Sequence, residues 1–172
     1  MYIKGLFQAY QQYLLAYKYN KYDIKTLTSL SSCILKIFDY IIQISSDISN
    51  VYKKLSEVDL EQIDITLKGI GYAFDELLDA AKIYLQTAVL VDSTKIAVHY
   101  HLIHVYMYLY LLKKSDTYID KGRSEIENCL ALSYKNQLPL AFKYKARNFY
   151  FAIEDFENAN KYEQMINKEI LF

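Results

Sequence analysis

The three histidines of the chain, His99, His101 and His104, fall within one short stretch. Imidazole is the commonest transition-metal ligand and the side chain that exchanges protons most readily near neutral pH. On a helix, His101 and His104 lie one turn apart on one face and could both reach a metal ion. His99 points to the other side of such a helix. A site would need a carboxylate or Cys from another helix. No Glu stands three residues before either histidine, the spacing by which helical di-iron sites collect their ligands. Histidine also packs in helix cores, and that reading is taken here. No metal site is assigned, and His101 and His104 are the residues that would form one.

Carboxylates supply the next candidates. Glu61-x-x-Asp64 and Glu76-x-x-Asp79 are similar in spacing to the acidic pairs of all-α nucleotide pyrophosphohydrolases. Both pairs fall on one helix, about 22 Å apart at ~1.5 Å per residue, so one chain cannot bring them to a shared metal cluster. Asp75-Glu76-x-x-Asp79 resembles the aspartate-rich motif of isoprenoid synthases, but no second such motif accompanies it. Nucleophile elbows, phosphate-cradling glycine loops and Cys-x-x-Cys pairs are absent. Arg123 and Arg147 have no histidine after them, which removes the pairing used by helical ribonucleases. No catalytic or cofactor-binding residue is nominated, no cofactor is expected, and binding becomes the default role.

Composition narrows the partners. Twenty basic residues balance 20 acidic ones, and the longest basic runs are the pairs Lys53-Lys54 and Lys113-Lys114. Nucleic-acid binders draw most of their affinity from clustered basic charge, so DNA and RNA are not expected partners. Nineteen tyrosines fit an AT-rich genome and also a recognition surface, where Tyr is enriched. Cys33 and Cys129 read as reduced, buried thiols of an intracellular protein. Lys4 is followed by an apolar stretch broken by Gln8, Gln11 and Gln12, which suits an amphipathic helix rather than a signal peptide. A cytoplasmic protein is expected.

The elements that would position these groups are helices. Pro139 is the only proline, and the glycines are Gly5, Gly69, Gly71 and Gly122. Ile3, Phe7, Tyr10, Leu14 and Tyr17 share one face of a first helix over residues 2–19. From about Asp23, apolar residues alternate in steps of three and four: Leu27, Leu30, Ile34, Ile37, Ile41 and onward to Leu55. After a turn near 56–58 the alternation resumes at Leu60 and continues through Phe74 and Ala81 to Ala88. The spacing predicts a long antiparallel hairpin of helices 2 and 3, with Ile34 facing Ala81, Ile41 facing Phe74 and Ile48 facing Leu67. Phe38, Ile42, Leu78, Ile83 and Leu85 widen the apolar face at the open end. Near the turn the stripe is narrow, and Gly69 and Gly71 there allow close helix approach.

Asp92 or Ser93 is a suitable N-cap for a fourth helix. Residues 96–112 contain no Asp, Glu, Lys or Arg, yet are too short and too rich in His and Tyr to span a bilayer. A buried central helix is expected. Helix 5 follows over about 117–133 with Ile119, Ile126 and Leu130 inward. Pro139 opens helix 6, and helix 7 runs from Asp155 or Phe156 to Ile170.

Ala146, Phe149, Tyr150, Glu154-Asp155-Phe156 and Ala159 follow the small, aromatic and acidic-aromatic pattern of a helical hairpin. In this the last two helices resemble the tetratricopeptide family. They depart from it in a longer Ala146-to-Ala159 spacing, in Tyr162 and in lacking a terminal proline. The resemblance implies stacked helix pairs and protein or peptide binding. The sequence thus suggests one all-α domain over 1–172. Its N-terminal helix and long hairpin occupy 1–90, and the helix pairs occupy 91–172. The function expected is that of a non-enzymatic adaptor or regulator acting on a protein or peptide, with no membrane partner. Pairing of two copies through helical faces is compatible with that reading. The alternative is a bundle holding a small ligand or metal near helix 4.

Overall fold

The computed structural model describes residues 2–45, 74–133 and 137–170. Among these the fold is all-α, with no strand. The helices are α1 (Tyr2–Tyr19), α2 (Ile24–Ser45), α3 (Phe74–Val91), α4 (Ile96–Lys113), α5 (Thr117–Leu132), α6 (Leu140–Ala152) and α7 (Phe156–Ile170). They form two compact units, Met1–Asp92 and Ser93–Phe172.

In the first unit, α1 packs on α2 and α2 on α3. The short turn between α1 and α2 is built by Asn20, whose side-chain oxygen accepts the Tyr22 N–H at 3.0 Å. Asp23 then caps α2 by accepting the Thr26 N–H at 2.8 Å and the Thr26 hydroxyl. Such a cap satisfies a backbone donor that the first helical turn would leave orphaned. The three-four stripe of α2 is the core: Leu27, Leu30, Ile34, Ile37 and Phe38 are wholly buried. Leu77, Leu78, Ala81, Leu85 and Ala88 of α3 are buried as well.

Ser31 shows how close these two helices lie. Its hydroxyl faces the Leu27 carbonyl at 3.0 Å and, across the interface, the Ala81 carbonyl at 3.2 Å. One turn beyond Ala81, Tyr84 meets Tyr17 edge-on at 5.3 Å, beside the α1–α2 turn. Passing from Ala81 to Tyr84 therefore moves toward the start of α2, so α2 and α3 run antiparallel. Ile83, expected to widen the core face, is instead 55% exposed. It lies on the opposite side of α3 from Ala81 and Leu85 at ~100° per residue. The pairs from Ile41–Phe74 down to Leu55–Leu60, the turn at 56–58, Gly69, Gly71, Glu61 and Asp64 lie outside the residues or side chains described.

In the second unit α4 packs against both α5 and α6, and α6 against α7. Every residue from Leu102 to Leu109 is buried, as the absence of charge in this helix led us to expect. The N-cap position of α4 falls on Lys95, not on Asp92 or Ser93. The Ser93 carbonyl is engaged elsewhere, by His99. The inward face of α5 carries Gly122, Ile126 and Cys129. Leu130, expected inside, is 44% exposed, and its neighbour Cys129 takes the inner position.

Pro139 occupies the N-cap of α6, and Phe142, Ala146, Phe149 and Ala152 form its buried stripe. The α6–α7 turn closes through Glu154, which has a positive φ of 60°. Its N–H reaches the Phe151 carbonyl at 3.1 Å, and the Asp155 N–H reaches the Tyr150 carbonyl at 2.9 Å. These are the paired bonds of a Schellman end, which satisfy carbonyls the helix terminus leaves open. Asp155 then starts α7 by accepting the Asn158 N–H at 3.2 Å.

Candidate functional site: the histidines of α4 and the exposed faces

The histidines of α4 turn toward different neighbours. His99, 3% exposed, places Nδ1 2.6 Å from a carboxylate oxygen of Glu125 on α5. Its Nε2 lies 2.8 Å from the Ser93 carbonyl. The carbonyl can only accept, so Nε2 donates to it while Nδ1 faces the carboxylate. The ring therefore ties the segment before α4 to the middle of α5.

His104, equally buried, has Nδ1 beside the Lys145 ammonium of α6 and lies 4.8 Å from the Tyr108 ring. A metal ion at that nitrogen would face a like charge. His101 packs its ring 4.9 Å from Tyr100. Among the described residues, no group of three His, Cys, Asp or Glu side chains could hold a metal ion.

The remaining reactive groups are also placed in the framework. Cys129 is buried against the Ile96 carbonyl, and burial pushes its thiol up to about 12. Burial raises Cys33, Tyr150 and Tyr162 as well. Each of these groups therefore keeps its proton at neutral pH. Asp79 of the second acidic pair is bound at 2.6 Å by Lys82, while Glu76 is exposed. Arg147–Glu163 at 2.8 Å and Lys143–Glu169 at 2.6 Å lash α6 to α7. Such part-exposed pairs contribute at most about 1 kcal/mol each.

Apolar side chains remain on the surface of both units. In the first, Leu15, Tyr19 and Tyr22 are 48%, 92% and 68% exposed near the end of α1. Beside them Leu14, Leu15, Tyr17 and Tyr84 line a cavity of about 570 Å³ between α1 and α3, with Gln11 and Gln12 also at its wall. In the second, Phe151 and Phe156 are exposed and pack edge-on at 5.6 Å across the α6–α7 turn. No helix among the described residues is long and apolar enough to cross a membrane.

The chain matches no family model, no curated protein and no solved structure. The sequence reading missed the Glu125 partner of His99 and the place of Gly122. Gly122, Ile126 and Cys129 do recur at steps of four and three, and that spacing was the available signal for the second. The Glu125 contact spans 26 positions and leaves no local mark.

Proposed function

We propose that this chain is a non-enzymatic helical adaptor or regulator that works in the cytoplasm by binding a protein or peptide. The observation that carries this reading is the uneven use of its side chains. Among the described residues, His99, His104, Cys33 and Cys129 are buried in packing or in helix-to-helix bonds. Aromatic and aliphatic side chains, in contrast, cluster on the surface at the α1 end and at the α6–α7 turn. Clustered exposed apolar surface marks interaction sites more often than isolated exposed residues do. The tetratricopeptide resemblance of α6 and α7 supports the same role. The test is to isolate the chain from its native host and identify what accompanies it. A co-purifying polypeptide is expected. A stoichiometric metal ion or small molecule in its place would favour a ligand-binding bundle.

A further inference from the structure

The cavity between α1 and α3 suggests what kind of partner binds there, and this inference rests on the adaptor reading above. Both helices pack onto or beside α2, and they meet each other through Tyr17 and Tyr84. On one side of that contact the helices leave a groove of about 570 Å³ with Leu14, Leu15, Tyr17 and Tyr84 on its apolar walls. The volume is in the range of sites that bury a substantial ligand group, roughly 300–1,000 Å³. Lys18 and Lys21 also line it, and no Asp or Glu does.

Asp23, the carboxylate next to these lysines in sequence, is committed to capping α2 through Thr26. Among the described residues, neither lysine has a carboxylate partner. The groove thus offers an apolar trough with two ammonium groups at its edge and, among the described residues, no anion to neutralise them.

We infer that this groove docks an acidic amphipathic helix from a partner protein. Apolar side chains of that helix would enter beside the Tyr17–Tyr84 contact, against Leu14 and Leu15, and its flanking carboxylates would pair with Lys18 and Lys21. An amphipathic helix laid into a hydrophobic groove is a recurring mode of peptide recognition. The apolar residues line a concavity, which suits an inserted helix better than the flat surface of a bilayer. Opposite charge at the rim sets orientation and selects against basic sequences.

The experiment uses a short fluorescein-labelled helical peptide with leucines along one face and glutamates beside them. It is titrated into the full chain and into a Lys18→Glu, Lys21→Glu variant. Both proteins are checked by circular dichroism for unchanged helix content. Saturable binding is expected for the native chain, weakened about tenfold or more in the variant. A peptide with lysines replacing the glutamates should show the reverse preference, a swap that general misfolding cannot produce. Binding that ignores the charge reversal, or none up to the order of 1 mM, overturns the proposal. So does lysine-dependent uptake by phosphatidylserine–phosphatidylcholine vesicles without peptide binding, which would mark a lipid surface. The two readings fail separately. A groove that rejects the peptide in a chain that still co-purifies with a polypeptide sinks only the groove. A chain that co-purifies with none sinks the adaptor reading and, with it, the occupant named here.

Discussion

Gly122 of α5 lies directly under the ring of Phe149 on α6. A methyl group at position 122 would overlap the ring edge, with Cδ2 of Phe149 only 3.0 Å from it. Phe149 is wholly buried, so its ring has no open space to retreat into. A glycine inside a helix costs roughly 1 kcal/mol relative to alanine. Its presence here is explained by the seat it gives the ring.

Replacing Gly122 by Ala should therefore destabilise the chain, although alanine is the better helix former. Overpacking of this kind typically costs about 1–3 kcal/mol. Urea unfolding followed by circular dichroism checks it. Phe149→Leu combined with Gly122→Ala should recover part of the loss, because the smaller side chain vacates the overlap. An alanine variant as stable as the parent would mean that α5 and α6 do not approach as described.

His99 and Glu125 should act as a unit. Loss of Glu125 leaves the buried His99 ring without this partner, for which about 1–3 kcal/mol is the expected cost. Loss of His99 costs less, because Glu125 is only part-buried and keeps its bond from Asn128. A double-mutant cycle of His99→Leu and Glu125→Leu should give a coupling of at least about 1 kcal/mol. Additive single effects would show that the 2.6 Å contact contributes nothing to the folded state.

Asp23 gives the stability of the chain an acid limb. The Thr26 hydroxyl and N–H hold its carboxyl below the ordinary 3.8. A depressed folded value contributes stability that is complete above the ordinary value and lost as pH falls through the lowered one. The difference in Tm between the native chain and Asp23→Asn should therefore shrink as pH is taken from 6 toward the region below 3.8. A difference that stays constant or grows on acidification would contradict the cap.

Which parts of this architecture could be read from the residues follows from what local spacing encodes. Steps of three and four locate a helix and one buried face, so α1, α4 and the α2 core stripe were legible. Pro139 marked a helix start because it removes a backbone donor locally, whereas the capping role of Asp23 emerged only from its bonds to Thr26. The spacing could not choose between Cys129 and Leu130, which differ by about 100° on α5. That choice was made by the packing of α5 on α4, where Cys129 meets the Ile96 carbonyl, a tertiary event. The N-cap of α4 moved for a similar reason, since the Ser93 carbonyl is taken by His99. The candidate metal pair could be drawn on one face of α4, but nothing local revealed that Lys145 would stand against His104. The groove beside Tyr17 and Tyr84 exists only once α1 and α3 are brought together.

Binding of a polypeptide is the central property proposed for this chain, and native mass spectrometry of the protein isolated gently from its own host tests it most directly. The spectrum should show the protein alone and a heavier species whose added mass is that of a second, different polypeptide. That species should disappear when the exposed residues contacting the partner are replaced. A spectrum showing only the chain carrying a metal ion or a small non-peptide molecule in one-to-one ratio would contradict the account.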